Sequence, residues 1–234
     1  MKNPNRLTVS LETGATSALV YPAQTSAIGR TLILGHGAGA GQQSGFMVDF
    51  ARALSALGLD VVTFNFLYAE QRRRIPDRPA VLEACYRAVI DAVRAKVASA
   101  SDGLFIGGKS MGGRVATQVA AADTTLLLDG LVLLGYPLHP PGRPTERRDK
   151  HLPAIGRPML FVQGSRDTFG TPSELEPILK PLTPPPTLHI VEGGDHSFKL
   201  SKKDPAAQAA VYENAQRTIV SWIRATRAGR TSSP

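Results

Sequence analysis

The stretch GLFIGGKSMGG, residues 103–113, fits two motifs that assign different chemistry to the same serine. Counted from Gly103, it fits G-x-x-x-x-G-K-[ST], the phosphate-binding P-loop, in which Ser110 would be a magnesium ligand. Counted from Gly108, it fits G-x-S-x-G, the nucleophile elbow, in which Ser110 would be a nucleophile. The residues around Ser110 decide between the two.

The residues that flank Ser110 favour the elbow. A P-loop needs a loop between its two glycines, with backbone N–H groups turned toward phosphate. Here residues 104–106 (LFI) form the apolar run of a β-strand. An elbow needs a strand before the serine, a helix after it, and small residues two positions away on either side, where Gly108 and Gly112 stand. We therefore predict an elbow and keep nucleotide binding as the weaker alternative.

Short apolar runs alternate with amphipathic helical patterns along the chain. The first two strands predict an antiparallel pair, and the later alternation of strand and helix predicts parallel pairing with helices on both faces. We expect one α/β domain, residues 1–234, built on a mostly parallel, doubly wound sheet of about eight strands. The predicted strands cover 7–12, 18–23, 31–37, 60–68, 103–110, 128–138, 157–164 and 187–193, and the predicted helices cover 47–58, 80–98, 111–122 and about 205–227.

Composition restricts the class of protein. Of the 234 residues, 42% are hydrophobic and 20% are charged, which suits a globular core. No run approaches the ~18 apolar residues that cross a membrane, and the amino terminus lacks the apolar stretch of a signal peptide, so we expect a cytoplasmic protein without a membrane partner. Cys85 is the single cysteine, and no metal-binding spacing occurs, so we expect no disulfide, no metal and no cofactor.

The chain is basic, with 27 lysines and arginines against 19 acidic residues and a net charge of +8. This balance permits an anionic substrate or nucleic acid, but many enzymes share it, so we do not favour a nucleic-acid partner. Loops 70–78, 142–151 and 199–204 each carry a net charge of +2. They form either a solvated basic rim or a surface that steers an anionic substrate. The candidate substrate-binding residues are His36, Arg72, Arg73 and Tyr136.

A serine nucleophile needs a base and a third group that orients the base. In chains with an elbow, the order is serine, acid and histidine, each at the end of a strand. Asp167 follows the strand predicted at 157–164, and His196 follows the strand predicted at 187–193. We therefore predict Ser110, Asp167 and His196 as the catalytic residues.

Other interpretations of these residues stay open at this point. Asp195, Glu146 and Asp149 also follow strands and could supply the acid. Asp167 could instead cap a helix that begins near Pro172. The serine could be a plain turn residue and the histidine a surface residue, which would leave a non-catalytic interaction module.

The negative charge that develops in acyl transfer needs two backbone donors. Met111 directly follows the serine, and the loop HGAGAG follows the strand predicted at 31–37. We predict that the N–H groups of Met111 and Ala38 form the oxyanion hole, with Gly39 as the near alternative. His36 is expected to pack against this loop and orient it more than to transfer protons.

Five motifs occur in order along the chain: HGAGAG, FNFLYAEQRRRIPD, GGKSMGGR, GSRDTFG and GGDHSF. Together they resemble one branch of the α/β-hydrolase superfamily over essentially the whole chain. That branch includes the dienelactone-hydrolase-like proteins related to testis-expressed protein 30 and to the third subunit of the non-specific lethal complex. The resemblance implies the fold and carries the triad onto Ser110, Asp167 and His196. It implies no substrate, and the complex subunits among its members keep a non-enzymatic role open.

The expected reaction is hydrolysis of a carboxylic ester or thioester through an acyl-enzyme, although lactone and peptide substrates would use the same residues. The segment between the sixth and seventh predicted strands is too short for a lid domain, which favours small or solvent-exposed acyl groups. Lys109 has no explained role, and its side chain is expected to point away from Ser110. The oligomeric state stays open.

Overall fold

The computed structural model describes residues 3–24, 26–202 and 204–226. Its eight strands are β1 (Asn5–Leu11), β2 (Gly14–Tyr21), β3 (Thr31–Gly35), β4 (Asp60–Phe64), β5 (Leu104–Lys109), β6 (Gly130–Leu134), β7 (Met159–Gly164) and β8 (Thr187–Val191). They lie in one sheet in the order β1-β2-β4-β3-β5-β6-β7-β8. β2 pairs antiparallel with β1 and β4, and the remaining neighbours pair parallel, which confirms the predicted doubly wound sheet with an antiparallel start.

The helices of the described residues are α1 (Gly45–Ala56), α2 (Leu67–Glu70), α3 (Pro79–Lys96), α4 (Met111–Ala122), α5 (Pro172–Leu179) and α6 (Pro205–Ala225). The helices predicted at 47–58, 80–98 and 111–122 correspond to α1, α3 and α4. The predicted carboxyl-terminal helix corresponds to α6, and residue 227, where it was expected to end, lies outside the described residues. No described helix combines the length and the apolarity needed to cross a bilayer.

Apolar side chains cover both faces of the sheet. Phe50 of α1 and Ile219 of α6 belong to the core on one face, and Tyr86 of α3 and Val115 of α4 belong to the core on the other. The central strands β3, β5 and β6 are buried along their whole length, as expected for parallel strands with helices on both sides. Because the strands from β3 onward run parallel, their carboxyl ends lie at the same edge of the sheet, where the loops that follow them meet.

The strand predicted at 60–68 is shorter than expected. β4 ends at Phe64, and the short helix α2 follows. The neighbouring strand β3 ends at Gly35, opposite Phe64, so the later residues have no parallel partner. The Phe66 N–H donates instead to His36 Nε2 over 3.2 Å, which turns the chain away from the sheet.

No lid covers the carboxyl edge. Residues 135–158, which join β6 to β7, contain the 3-10 turn Leu152–Ala154 and no α-helix. The absence of a lid domain agrees with the prediction from the length of this segment. Residues 104–109 form the buried strand β5, so the loop that a P-loop requires does not exist here.

Candidate active site

The turn between β5 and α4 holds Ser110 in a strained backbone conformation. Its φ of 51° and ψ of −115° lie in a region that residues with side chains seldom occupy. A Cβ on Gly108 would lie 2.3 Å from the carbonyl oxygen of Gly35, and a Cβ on Gly112 would lie 2.2 Å from the same oxygen. Both positions therefore require glycine, which lets β3 and the start of α4 approach closely enough to form the elbow.

The three side chains expected to act together are in hydrogen-bond contact. Ser110 Oγ lies 2.9 Å from His196 Nε2. His196 Nδ1 lies 2.8 Å from Asp167 Oδ2 and 3.0 Å from Asp167 Oδ1. The three residues follow β5, β8 and β7 respectively, so the parallel sheet brings them to one edge from distant parts of the chain. The result is a continuous path from hydroxyl to imidazole to carboxylate.

Asp167 is fully buried and is held by contacts that sequence reasoning missed. Gln163 Nε2 donates to Asp167 Oδ2 over 2.8 Å and to Gly170 O over 2.7 Å. Gln163 Oε1 accepts from the Tyr136 N–H over 2.8 Å, and the Phe169 N–H donates to Asp167 Oδ1 over 2.8 Å. The sequence offered one signal for Gln163, because this polar residue stands near the end of the otherwise apolar strand MLFVQG.

An aromatic ring restricts the imidazole of His196. The ring of Phe169 stacks on it with a centroid distance of 4.2 Å and an interplanar angle of 28°. The ring leaves the two imidazole nitrogens in contact with Ser110 and Asp167. Phe169 was also missed, and its position two residues after the predicted acid was the available signal.

The other acidic residues considered for the orienting role lie elsewhere. Asp195 accepts hydrogen bonds from two backbone N–H groups of its own loop. Glu146 and Asp149 each pair with an arginine of their own loop. Thr171, and not Asp167, caps α5 through a capping box. Of the candidate acids, Asp167 is the one that contacts the histidine.

The loop after β3 packs against the elbow. A Cβ on Gly37 would lie 3.6 Å from the Cβ of Ser110. Ala38 lines the same cleft as Ser110, whereas Gly39 lines a neighbouring depression. Met111 is the first residue of α4, where the N–H groups of a helix have no acceptor within the helix.

His36 holds this loop from within the protein. It is fully buried, and its Nε2 accepts from the Phe66 N–H, so Nδ1 carries the proton and donates to Gly37 O over 2.8 Å. Burial lowers the pKa of His36, which favours the neutral imidazole. This arrangement agrees with a role in orienting the loop and keeps His36 away from substrate.

A cleft of about 590 Å³ opens at the carboxyl edge of the sheet, with Ser110 and His196 in its wall. Another cavity, of about 530 Å³, lies near the opposite edge and contains none of the predicted catalytic residues. The wall of the cleft beside Ser110 combines apolar and basic side chains. These include Phe46, Met47, Leu82 and Phe169 on the apolar side, and Lys109, Arg114 and Arg148 on the basic side.

None of the four candidate substrate-binding residues lines this cleft. Tyr136 is 1% exposed and its hydroxyl donates to a backbone carbonyl, so the expectation that it contacts substrate does not fit its burial. Arg72 and Arg73 line the neighbouring depression, where Arg73 donates to Asp77 over 2.6 Å. His36 lies in the core, as described above. Their places depend on long-range packing that sequence position alone does not indicate.

The expectation that Lys109 points away from Ser110 is wrong. The residue lines the cleft and is 7% exposed, and its side chain passes Gly37 and Gly135, where a Cβ would lie 3.8 Å from its Cγ and 3.1 Å from its Nζ. Its Nζ is buried without a hydrogen-bond partner among the described residues, as is Nε of Arg114. Arg114 lies in the first turn of α4 and was missed by sequence reasoning.

The basic loops form a partly neutralised rim. In loops 70–78 and 142–151, arginines pair with carboxylates of the same loop. Two lysines of loop 199–204 line a separate depression, and Lys203 lies outside the described residues. Arg148 of loop 142–151 lines the cleft beside Ser110.

Comparisons with known proteins address the fold. A solved lidless α/β serine hydrolase from Xanthomonas campestris is 24% identical, with 97% of this chain and 98% of that chain covered and a TM-score of 0.73. An α/β serine hydrolase homologue from Coxiella burnetii is 17% identical, with 94% and 99% covered and a TM-score of 0.73. A dienelactone hydrolase from Anabaena variabilis is 21% identical, with 92% and 97% covered and a TM-score of 0.68.

At these identities, the solved structures establish a shared architecture and carry no substrate over to this chain. A family model is more specific because it describes sequence as well as shape. The model described as the alpha/beta hydrolase domain matches residues 29–224, which include the elbow and the loops after β7 and β8. The chain therefore belongs to the α/β-hydrolase domain family.

Proposed function

We propose that this protein is a serine hydrolase that cleaves a carboxylic ester or thioester through an acyl-enzyme on Ser110. The observation that carries the proposal is the continuous contact from Ser110 Oγ to His196 Nε2 (2.9 Å) and from His196 Nδ1 to Asp167 Oδ2 (2.8 Å). The strained turn at Ser110 supports it, because backbone strain of this kind concentrates at functional sites.

In the proposed first step, His196 Nε2 takes the proton of Ser110 Oγ as the oxygen attacks the carbonyl carbon. Asp167 accepts the Nδ1 proton of His196 in a hydrogen bond and stabilises the imidazolium that forms. The imidazolium then donates its Nε2 proton to the leaving oxygen or sulfur, which departs as alcohol or thiol. Ser110 is left as an acyl ester.

Deacylation repeats the same proton transfers with water. His196 removes a proton from water as the water oxygen attacks the acyl-enzyme carbonyl, and returns it to Ser110 Oγ as the acid leaves. The N–H groups of Met111 and Ala38 are proposed to bind the oxyanion in both steps. The position of Ala38 in the cleft, with Gly39 directed to the neighbouring depression, favours Ala38 as the second donor.

The open edge of the sheet supports small or solvent-exposed acyl groups as substrates, because residues 135–158 form no lid over the cleft. All eight strands belong to one sheet, which supports the proposal that the chain acts as a single catalytic domain. We also propose that the chain belongs to the branch that includes the relatives of testis-expressed protein 30. This assignment is supported by the five sequence motifs alone.

Labelling with a fluorophosphonate probe tests the proposal, since the probe reacts with activated serines. We expect the wild-type protein and Ser44→Ala to be labelled and Ser110→Ala to remain unlabelled. Ser44 is the matched control because it lines the same cleft and its side chain forms no cap hydrogen bond. Equal labelling of all three proteins would remove Ser110 from the mechanism. No labelling of the wild type would favour a non-catalytic interaction module.

A further inference from the structure

Lys109 is a buried cation that the proposed mechanism does not use. It is the last residue of β5, directly before Ser110, and 7% of it is exposed. An ammonium group carries three hydrogen-bond donors, yet Nζ has no partner within the described residues. Burying a charge without hydrogen bonds is costly, so a lysine here needs a reason other than stability.

The ammonium group of Lys109 lies beside the catalytic base. A Cβ on Gly135 would lie 3.1 Å from Lys109 Nζ and 3.4 Å from His196 Nδ1, so both nitrogens border the same small space. Nζ also lies 5.7 Å from the centre of the Phe46 ring. Lys109 also lines the cleft that contains Ser110 and His196, although Nζ itself is buried.

The charged groups around Lys109 leave its positive charge unpaired. From the loop after β7, Asp167 faces it, but that carboxylate is bound by His196 and Gln163. From the loop after β8, Asp195 faces it and accepts from two backbone N–H groups. From α1, the ring of Phe46 packs against it. Within the described residues, no salt bridge of Lys109 is formed.

Two more cations line the cleft. Arg114 and Arg148 line it, and neither forms a salt bridge with a described residue. Burial, followed by the charge of Arg114, lowers the pKa of the Arg148 guanidinium. The carboxylate of the cleft wall, Asp77, is engaged by Arg73 and by a backbone N–H. The cleft is therefore a basic site that lacks an anion.

We propose that Lys109 binds a carboxylate of the substrate and makes the cleft selective for esters that carry one. Arg114 and Arg148 favour the same ligand by raising the positive potential of the cleft. This inference rests on the proposed hydrolase function and names its substrate class. It also explains why a lysine precedes the nucleophile, because a substrate carboxylate would supply the missing partner of Nζ.

The selectivity should depend on pH. Burial lowers the pKa of Lys109 to about 8, against the opposing charges of Asp167 and Asp195. The ammonium form is present below that pH and is lost as the pH rises through it. The preference for a carboxylate-bearing ester should therefore be greatest near neutral pH and decline above about pH 8.

Two substrate pairs test the proposal, each with one carboxylate either free or capped as a methyl ester. Monomethyl and dimethyl glutarate place the charge on the acyl side, and 3-acetoxypropanoate and its methyl ester place it on the alcohol side. The measured quantity is the ratio of kcat/KM for the charged ester to kcat/KM for the neutral ester. We expect a ratio above one in at least one pair, and a fall of that ratio by about tenfold in Lys109→Met. Using a ratio removes any change that affects both esters equally.

Lys96→Met is the matched control, because it removes one exposed positive charge from the end of α3, at the opposite edge of the sheet. Its ratio should equal that of the wild type. A ratio of one or less in both wild-type pairs, or an equal ratio in wild type and Lys109→Met, would overturn the proposal. If Lys109→Met does not fold, Lys109→Gln replaces it with a side chain that can be hydrated.

A binding experiment separates failure of this inference from failure of the proposed function. Calorimetry is performed on Ser110→Ala, which lacks the nucleophile, with monomethyl glutarate and with 3-acetoxypropanoate. At least one of these ligands should bind at least about tenfold more weakly to Ser110→Ala combined with Lys109→Met. This result would support the carboxylate site even if no ester were hydrolysed. Equal affinity of the two proteins for both ligands would reject it even if hydrolysis were observed.

Discussion

At Asp167, a single buried carboxylate is held from several directions. His196 contacts both of its oxygens, and Gln163 and the Phe169 N–H each donate to one of them. Because Asp167 is excluded from water, solvent cannot replace a donor that is lost. In the proposed mechanism, Gln163 is therefore a positioning residue, which would act on the reaction through the carboxylate that it orients.

We expect Gln163→Met to lower kcat for p-nitrophenyl butyrate by roughly 10- to 100-fold, since small displacements of catalytic groups cost about this much. Methionine has a similar length but removes the hydrogen bonds to Asp167, Gly170 and Tyr136. The free energy of unfolding should therefore also fall by about 1–3 kcal/mol. Steady-state kinetics and urea denaturation measure the two effects.

Gln118→Met is the control for this variant. Gln118 is a half-buried residue of α4 and forms no side-chain hydrogen bond with a described residue, so kcat should stay within about twofold of the wild type. An unchanged kcat in Gln163→Met would show that Asp167 keeps its position without this donor.

At the scale of elements, the approach of β3, β5 and α4 determines the position of Ser110, the proposed nucleophile. Gly35 on β3 contacts Gly108 before the turn and Gly112 after it, backbone against backbone. The turn places Ser110 at the start of α4, where helix dipole and free N–H groups favour negative charge. The elbow is thus a product of three elements packed without side chains between them.

Gly112→Ala should disrupt this packing. The added Cβ would lie 2.2 Å from Gly35 O and 2.3 Å from Gly35 C, and neither backbone atom can move without shifting β3. We expect a loss of about 2–4 kcal/mol in the free energy of unfolding and a large loss of kcat. Thermal denaturation and ester hydrolysis are the measurements.

Gly45→Ala provides the comparison, because a Cβ there meets no atom within 4 Å at the start of α1. Its stability should change by no more than about 1 kcal/mol, and alanine favours the helix. Equal melting temperatures for Gly112→Ala and Gly45→Ala would mean that the elbow tolerates a side chain at this point.

At the scale of the whole molecule, the absence of a lid limits how much of a ligand the cleft can enclose. Residues 135–158 cross the surface without forming a helical cover, and the cleft of about 590 Å³ is open to solvent. A long acyl chain would therefore leave much of its length in water and gain little from binding.

We expect kcat/KM for p-nitrophenyl esters to level off or fall once the acyl chain exceeds about ten carbons. The measurement is a series of esters from acetate to palmitate, each kept below its critical micelle concentration. A continued rise of kcat/KM beyond ten carbons would indicate an apolar channel and would contradict an open site.

Local sequence was sufficient for the order of the strands and helices and for choosing the residues of the predicted triad. The strand before Ser110, the helix after it and the glycines at 108 and 112 are all short-range features. The parallel topology then follows from the alternation of strand and helix, which assigns the loops of Asp167 and His196 to one edge. The early end of β4 was not predictable in this way, because it depends on where β3 ends.

The sequence by itself therefore determined the α/β fold, the elbow and the order of serine, aspartate and histidine, since periodicity and spacing encode these directly. Only the tertiary structure decided what surrounds them. Tyr136 lies in the core, Gln163 holds the aspartate, and Lys109 lines the cleft with its Nζ buried beside Gly135. These outcomes depend on the space that glycines and neighbouring strands leave open, and such space exists only after residues distant in the chain have packed together.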